Sequence, residues 1–319
     1  MSDMLRGEQS PEQIRQFLLD YNAREATPDE LGGFLSAVRD AATKVDLPSE
    51  VAARAIDIVG TGGDQSGSVN VSTMASLVVA GAGVPICKHG NRSASSKCGT
   101  ADVLEALGAR IEMSAEEVAR CVSVSGFGFV FAQKFHPAFR HVGPVRRELG
   151  VPTIFNLLGP MANPAPVAFM LVGVANPARM GTMASALAQR TSASLVVHGH
   201  GGLDELSLAG PNRVIATRDG VVQPEDALDA SELGLGAASN DKLRGGDASH
   251  NARVMREVLA NRITGPIRDV VVLNAAVALH LAGAATTLDD GARLASESIA
   301  GGAALAVLDA FVRETTLKQ

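Results

Sequence analysis

DIVGTGGD at residues 57–64, SVNVST at 68–73 and KHGNRSASSKCGTAD at 88–102 decide the fold of this chain. Two apolar runs each end in a loop of Gly, Ser, Thr and Asn, and each loop leads into a predicted helix. Such loops offer backbone N–H groups and hydroxyls, and a helix N-terminus adds partial positive charge. Because the second loop also carries Lys88 and Arg92, the pair of loops predicts a ligand with more than one phosphate.

Two common phosphate-binding motifs do not fit these loops. Gly62 and Gly67 have the spacing of a Walker loop, but Ser68 follows where that motif requires Lys. Gly60 and Gly62 match the start of a dinucleotide fingerprint, but Gln65 occupies the third glycine position. The sequence therefore predicts neither a nucleoside-triphosphate loop nor an ordinary NAD site.

Composition indicates a globular enzyme. The chain has 319 residues, of which 46% are hydrophobic and 19% charged, and its net charge of -6 gives no general footprint for nucleic acid. Three cysteines without a Cys-x-x-Cys pair argue against a disulfide framework or a zinc ribbon. The apolar run 270–288 contains Asn274 and His280, which favours a buried helix over a membrane span. With no N-terminal signal, we expect a cytoplasmic protein without nucleic-acid or membrane partners.

Alternating elements predict the architecture. Capping boxes at Ser10–Gln13 and Thr27–Glu30 start two helices within the first ~45 residues. Apolar strands are then expected at 56–59, 84–87, 127–131, 168–174 and 195–198, with helices at 72–82, 101–107, after Ser114, 136–149 and 177–189. This alternation predicts βαβ units and a largely parallel sheet. A hairpin is expected at 213–222, and three helical segments near 252–259, 270–281 and 291–300.

Five motifs resemble those of the anthranilate phosphoribosyltransferases, in the nucleoside phosphorylase/phosphoribosyltransferase family with the class III fold. They are GTGGD at 60–64, NVST at 70–73, KHGNRS at 88–93, FNLLGP at 155–160 and GLDE at 202–205. The resemblance implies an α/β fold in which a small, mainly helical domain is hinged to a larger α/β domain with a central, mostly parallel sheet and C-terminal helices. The small domain would comprise 1–47 joined by about 136–150, and the large phosphoribosyl-binding domain 48–135 and 151–319.

The resemblance also implies a reaction and its partners. The phosphoribosyl group of 5-phosphoribosyl 1-pyrophosphate would pass to the amine of anthranilate, and pyrophosphate would leave, as in tryptophan biosynthesis. Such an enzyme needs Mg²⁺ but no side-chain nucleophile. The family usually forms a homodimer, and its members usually begin with about one more helix before the position of Arg6, in the region that serves the dimer contact.

Site residues follow from the resemblance, position by position. Ser72, Asp204 and Glu205 would bind Mg²⁺, since hard oxygen ligands suit this ion. The anthranilate site would comprise Gly60, His89, Asn91, His136 and Arg146, whose forked guanidinium fits a carboxylate, with Arg147 as the alternative if the helix faces differently. The sugar diphosphate would contact Gly60, Gly63, Asp64, Ser68, Asn70, Val71, Ser72, Thr73, Lys88, His89, Gly90, Asn91, Arg92, Ser93, Ala94, Ser95, Ser96 and Thr100.

Several alternatives remain at this level. Thr100 can serve as a helix cap, and Lys88 and Arg92 as solvated surface charges. His198 and His200 have strand spacing that suits a transition metal, although no third ligand lies near in sequence. A pyrimidine nucleoside phosphorylase would share the fold but would not need the acidic pair 204–205, and a non-catalytic relative would bind nucleic acid through a basic face.

Overall fold

A mixed sheet forms the centre of the protein. The structure, a computed structural model, describes residues 1–93 and 96–317. The strands of the sheet are β1 (Ile56–Gly60), β2 (Ile86–Gly90), β3 (Phe127–Phe131), β4 (Phe169–Gly173), β5 (Ala193–His198), β6 (Asn212–Arg218), β7 (Val221–Val222) and β8 (Asp226–Leu228). Their spatial order is β3-β2-β1-β4-β5-β6-β7, and β8 also pairs with β6. Strands β1 to β5 run parallel, whereas β6 is antiparallel to β5, β7 and β8.

Helices cover the sheet and form the N-terminal region. They are α1 (Ser2–Arg6), α2 (Pro11–Ala23), α3 (Pro28–Asp40), α4 (Ser49–Ala52), α5 (Val71–Gly81), α6 (Thr100–Ala106), α7 (Ala115–Ser125), α8 (Ala132–Phe135), α9 (Gly143–Leu149), α10 (Ile154–Met161), α11 (Met180–Ala188), α12 (Ala248–Leu259), α13 (Pro266–Leu281), α14 (Leu288–Ala300) and α15 (Ala303–Thr316). The α/β class, the mostly parallel sheet and the C-terminal helices predicted from the sequence are confirmed.

The N-terminal helices begin where their capping boxes predict. Ser10 caps α2 and Thr27 caps α3, and in each case the side chain of the third helical residue bonds back to the cap. Arg15 on α2 forms an ion pair of 2.7 Å with Glu148 on α9. This contact agrees with joining 136–150 to the N-terminal helices, although the domain boundaries stay a prediction.

Some predicted boundaries are wrong. The helix expected at 136–149 is a 3₁₀ turn at Pro137–Arg140 followed by α9, which starts at Gly143 because Pro144 cannot continue a preceding helix. Strand β2 starts two residues and ends three residues later than expected, and it includes the polar Lys88 and His89. The expectation that Thr100 caps α6 is also wrong, since Gly99 holds that position.

Helix α13 is the predicted buried helix, and its Asn274 is satisfied by bonds to Leu206 and Val270. Across the described ranges, no one helix is both long enough and apolar enough to cross a membrane. Helices α14 and α15, which meet at 61°, pass such a test only together, by length and composition.

The strand order fixes where a ligand binds. The chain leaves β1 toward β2 on one side and leaves β4 toward β5 on the other, so the order of the strands reverses between β1 and β4. In open α/β sheets, the crevice at such a switch point, beyond the carboxyl ends of the strands, is the usual ligand site. Gly60 and Gly173 are register partners at this edge.

Candidate active site

The acidic pair Asp204 and Glu205 lies directly above the ends of β1 and β4. A Cβ added to Gly173 would be 1.6 Å from the backbone oxygen of Asp204, and one added to Gly60 would be 2.3 Å from its Oδ2. A Cβ on Gly199 would come within 2.0 Å of the Glu205 carbonyl oxygen. Because none of these distances leaves room for a side chain, three glycines create the space that the acidic pair occupies.

Backbone N–H groups orient the two carboxylates. Gly62 N–H donates to Asp204 Oδ2 at 2.6 Å, and Ser72 N–H, in the first turn of α5, donates to Glu205 Oε1 at 2.9 Å. The other oxygen, Glu205 Oε2, is buried and has no hydrogen-bond partner among the described residues. A buried carboxylate oxygen without a partner is costly, so this atom indicates a missing ligand.

The electrostatics of this pair also favour a cation. Burial, with a smaller effect from Asp64, raises the pKa of Asp204 to about 7. Burial and the neighbouring Asp204 likewise raise the pKa of Glu205 well above its ordinary value. Carboxylates this close keep both charges only when a positive ion joins them.

Lys88 lies beneath the acidic pair. Its side chain is 1% exposed, and its ammonium donates to the carbonyl of Ile58 and to Ser72 Oγ at 3.4 Å. Burial lowers its pKa, and the charges of Asp57, Glu205 and Asp204 act in the opposite direction. Its two hydrogen bonds hold the Lys88 amine in place below the site, and its predicted direct contact with phosphate stays a prediction.

Asp57, on β1, is a second buried ionisable residue below the site. Its carboxylate accepts from Asn163 Nδ2 at 2.8 Å and from the N–H of His89 at 3.2 Å. Burial raises its pKa to about 6, with Lys88 opposing the rise. Asn163 also donates to the Cys87 carbonyl at 2.7 Å, so it joins β1 and β2 below their loops. Neither Asp57 nor Asn163 was predicted as a site residue.

The first loop, 61–70, is built on left-handed backbone. Gly62, Gly63 and Gly67 have φ of 68°, 78° and 61°, and Gln65 has φ of 56°. Glycine adopts such angles without strain, whereas Gln65 does so at a cost. The loop places Asp64 near Asp204, and its end pairs with the C-terminal half of the chain through Val69 N–H and the Leu243 carbonyl at 2.9 Å.

The second loop folds on its own hydroxyls and on Asp102. Ser93 Oγ accepts from Ser96 N–H at 2.7 Å, and Asp102 accepts from the N–H groups of Gly99 and Ser93 at 2.8 and 3.2 Å. Ala94 and Ser95, which the resemblance places against the sugar diphosphate, lie outside the described residues.

Two contacts show how the loops relate to each other and to their surroundings. Thr100 Oγ1 lies 3.4 Å from Thr73 Oγ1, which joins the starts of α6 and α5. Arg92, a predicted phosphate partner, instead pairs with Glu105 at 2.9 Å and with Asp102 at 3.0 Å. Its contact with phosphate stays a prediction, and Arg92 would have to leave these two carboxylates to make that contact.

The rings of His89, His136, Phe139 and Phe155 lie beside this edge of the sheet and contact one another in series, and we call them the ring column. His89 Nε2 lies 3.1 Å from His136 Nε2, and the His136 ring stacks on Phe139 with centroids 5.0 Å apart and planes at 15°. Phe139 meets Phe155 edge to face at 5.3 Å, and the Arg146 guanidinium lies 5.2 Å above the Phe155 ring. The structure therefore brings His89, His136 and Arg146 into one contiguous group.

Arg146 is half-buried without an acidic partner. Its Nη2 donates to Asn156 Oδ1 at 3.4 Å, and none of the ion pairs found in ranges 1–93 and 96–317 involves it. Burial lowers its pKa, since no carboxylate offsets the loss of hydration. Arg147, the alternative, is exposed.

Asn91 stands at the exposed end of β2. Its Oδ1 accepts from the N–H of Arg92 at 2.8 Å and from Gln133 Nε2 at 3.2 Å. Because Oδ1 faces these two donors, the Nδ2 of Asn91 points in another direction. Gln133 was not predicted, since a single Gln after a strand gives no sequence signal.

The histidines at the end of β5 do not form a metal centre. His198 Nδ1 lies 2.7 Å from the Val174 carbonyl, a bond that ties β5 to the end of β4. Within the ranges 1–93 and 96–317, no group of three His, Cys, Asp or Glu side chains is arranged to hold a metal ion. A cation at Asp204 and Glu205 would therefore complete its coordination with Ser72, water or ligand oxygens.

Comparison with known proteins identifies the family of this chain. Residues 52–305 match the family model described as glycosyl transferase family, a/b domain. The anthranilate phosphoribosyltransferase of Salinispora arenicola is 48% identical over 98% of this chain and 89% of its own length. The crystal structure of the Thermus thermophilus enzyme superposes with a TM-score of 0.93 at 42% identity, covering 99% of this chain and 93% of that one.

A structure from Saccharomyces cerevisiae extends the comparison to bound ligands. This anthranilate phosphoribosyltransferase, in complex with PRPP and Mg, has a TM-score of 0.86 at 30% identity and covers 96% of this chain and 85% of that one. These similarities extend over nearly the whole chain and include every motif that carried the resemblance. The chain therefore belongs to the anthranilate phosphoribosyltransferase family.

Proposed function

We propose that this protein transfers the phosphoribosyl group of 5-phosphoribosyl 1-pyrophosphate to the amine of anthranilate and releases pyrophosphate. The observation that carries the proposal is the buried acidic pair over β1 and β4, which has a free carboxylate oxygen and faces a glycine loop. We call the residues 60–73, 88–100 and 199–205 the donor half of the site. The segment 132–156, which carries Arg146 and all of the ring column except His89, is the acceptor half, and His89 belongs to both halves.

The donor half would hold the sugar diphosphate. N–H groups and hydroxyls would come on one side from Gly60, Gly63, Asp64, Ser68, Asn70, Val71, Ser72 and Thr73, and on the other from 88–93, Ser96 and Thr100. The N–H groups of Gly62 and Ser72 already hold the acidic pair, so the first loop, the start of α5 and the acids are positioned as one unit. Ala94 and Ser95 are assigned here by resemblance alone.

Asp204, Glu205 and the Ser72 hydroxyl are the proposed ligands of Mg²⁺. Their all-oxygen donor set, the free Glu205 Oε2 and the small number of protein ligands suit an ion that keeps waters and phosphate oxygens. Bound there, Mg²⁺ would stabilise the negative charge that develops on the departing pyrophosphate. Lys88 below the site balances part of the charge of the acids and bonds Ser72, which holds this hydroxyl in place.

The acceptor half would hold anthranilate against the opposite face of the sugar. Arg146 offers the unpaired guanidinium that a carboxylate needs, and a charge-assisted pair in this half-buried position is strong. His89, His136 and Phe139 form the apolar wall for the ring, while Gly60 and Asn91 lie where the two halves meet. Burial lowers the pKa of His136 to about 4, so the wall is neutral at pH 7.

The chemistry then depends on orientation and electrostatics. Breaking the bond to pyrophosphate leaves positive character on the anomeric carbon, and the aniline nitrogen attacks that carbon and then loses a proton. No side-chain nucleophile takes part, so the protein contributes by fixing both reactants and the leaving group.

A fluorescence assay tests this function. Purified protein should consume anthranilate only when phosphoribosyl pyrophosphate and Mg²⁺ are both present, with equimolar release of pyrophosphate. Phosphorolysis of uridine or thymidine without such consumption would replace the proposal with a nucleoside phosphorylase, and salt-sensitive DNA binding without turnover would replace it with a nucleic-acid-binding role. The cytoplasmic location and the homodimer implied by the resemblance stay predictions.

A further inference from the structure

A chain of hydrogen bonds joins the two loops of the donor half to helix α12. Gly246 N–H donates to Asn251 Oδ1 at 2.8 Å, and Asn251 Nδ2 donates to Asn70 Oδ1 at 3.0 Å. Asn70 Nδ2 then donates to the Cys98 carbonyl at 3.2 Å. Three distant segments of sequence thus meet at two side-chain amides, of which Asn251 is 3% exposed.

The direction of this chain is fixed at both ends. The N–H of Gly246 can only donate, so Asn251 must turn its oxygen toward it and its NH₂ toward Asn70. The carbonyl of Cys98 can only accept, so Asn70 must turn its NH₂ toward Cys98 and its oxygen toward Asn251. Each amide orientation therefore requires the other, and one N–H of Asn70 remains for a further acceptor.

The surrounding backbone holds Asn251 in this position. The segment 243–245 pairs with the first loop through Gly245 N–H and the Gly67 carbonyl at 2.8 Å. A Cβ on Gly245 would lie 2.8 Å from Asn251 Oδ1 and 2.9 Å from the carbonyl oxygen of Ser68. Asp247 caps α12 by accepting from His250 N–H at 2.8 Å, which fixes the start of the helix that carries Asn251.

We propose that Asn251 is a positioning residue for the sugar diphosphate, acting through Asn70 to set the spacing between the two loops of the donor half. The inference rests on the proposed function, since it assigns Asn251 to the same site. Asn251 itself is not among the predicted substrate contacts. Its effect should appear in the affinity for the diphosphate substrate and not in the use of anthranilate.

The test measures steady-state kinetics and diphosphate affinity of N251A and N251D in the full-length protein. N251D keeps the acceptor for Gly246 and nearly the same side-chain shape. Its second carboxylate oxygen would face Asn70 Oδ1, so repulsion between the two oxygens should displace Asn70. We expect KM for phosphoribosyl pyrophosphate to rise on the order of 10-fold in each variant, the effect of losing one buried hydrogen bond. KM for anthranilate should stay within about 2-fold of the wild-type value, because neither variant removes a hydrogen bond in the acceptor half.

A double-mutant cycle separates positioning from general destabilisation. In an N70A background, N251A should change KM for the diphosphate by less than about 2-fold, because its route to the site is already removed. S298A is the matched control: Ser298 donates to the Val78 carbonyl at 2.8 Å, a buried bond toward the far end of α5. It should lower Tm without changing KM for the diphosphate.

The outcomes are distinct. Unchanged diphosphate KM in N251A and N251D, or additive effects with N70A, would overturn the inference while leaving the proposed function intact. If a variant is too unstable for kinetics, the rise in Tm that Mg²⁺ and phosphoribosyl pyrophosphate produce gives the affinity instead, and an unchanged rise would also overturn it. A wild-type protein that fails to turn over the two substrates would remove the proposed function instead.

Discussion

The donor half and the acceptor half are built in different ways. The donor half rests on strand ends, where backbone atoms of Asp204 and Glu205 fill spaces that only glycine leaves open. The acceptor half consists of side chains on short helices and the turns between them, in which one stacked and one edge-to-face ring pair lead to Arg146. The first arrangement fixes the acidic pair through backbone packing, whereas the second gives a wall whose shape depends on side chains alone. A polyphosphate with a metal needs the former, and a flat aromatic acid is served by the latter.

The largest effect should follow from a change of charge in the donor half. D204N should lower kcat/KM on the order of 100-fold or more, because it removes a preorganised charge at the leaving group. The affinity for Mg²⁺, measured by calorimetry with phosphoribosyl pyrophosphate present, should fall as well. D309N, which alters a carboxylate of α15 paired with Arg256 at 3.0 Å, is the control and should be silent in both measurements. Normal Mg²⁺-dependent rates in D204N would remove Asp204 from the proposed metal site.

A methyl group added at the end of β4 should lower the rate nearly as strongly. G173A would require the backbone of Asp204 to move, since its Cβ would lie 1.6 Å from that carbonyl oxygen. Overpacking of this kind costs roughly 1–3 kcal/mol of stability, and displacing the acids by about 1 Å costs on the order of 100-fold in rate.

The control for G173A is G181A, because a Cβ on Gly181 in α11 meets nothing within 4 Å. Alanine should stabilise that helix by about 0.5–1 kcal/mol. Equal activity of G173A and G181A would mean that the donor half is not set by backbone packing, and the contrast between the two halves would fail.

A change in the acceptor half should be selective. R146A should raise KM for anthranilate roughly 10–100-fold, the expected loss of a charge-assisted hydrogen bond, and leave KM for the diphosphate nearly unchanged. R147A is the matched neighbour on α9 and should have little effect. The reverse result, with R147A impaired and R146A normal, would transfer the carboxylate contact to Arg147.

The smallest effect concerns pH and the ring column. The pKa of His136 falls from 6.5 to about 4 on burial, so the unfolded chain takes up the proton first as pH drops. The stabilisation is complete above pH 6.5 and is lost as pH falls toward 4, by about 1–2 kcal/mol at pH 5. The buried Asp57 and Asp204, whose pKa values are raised to about 6 and about 7, gain stability over the same range, so the test compares variants and not the wild-type change alone. Urea unfolding at pH 7 and pH 5 should give the same pH-dependent change in the free energy of unfolding in wild type and in H280N, which alters an exposed histidine. In H136N this change should shift by about 1–2 kcal/mol in favour of pH 5, and an unshifted change would contradict the assignment.

Much of the donor half could be predicted because its function requires particular residue types in short stretches. Glycine and hydroxyl residues after apolar runs indicated the two loops, and the parallel sheet followed from the alternation of strands and helices. The acidic pair was placed only by resemblance. Its position over β1 and β4 depends on Gly173 and Gly199, and glycines at strand ends are too common to signal such packing.

The remaining contacts lacked any local pattern. Asp57 reads as one polar residue in an apolar strand, and its partner Asn163 lies more than 100 positions away. Asn251 and Gln133 act on residues in other segments, so only the folded chain brings them to the site. The break before α9 had a local cause in Pro144, which the helix prediction did not use, whereas β2 extends over the polar Lys88 and His89 against the apolar pattern that predicted it.

The glycines under the acidic pair also bear on redesign of the enzyme. Residues whose backbones interlock cannot be exchanged one at a time, so the machinery for the sugar donor should resist mutation and be retained as a whole. Phe139 and Phe155, in contrast, contribute only side-chain surface to the wall. Libraries that vary these two positions therefore offer the direct route to new aryl amine acceptors while the donor chemistry is kept.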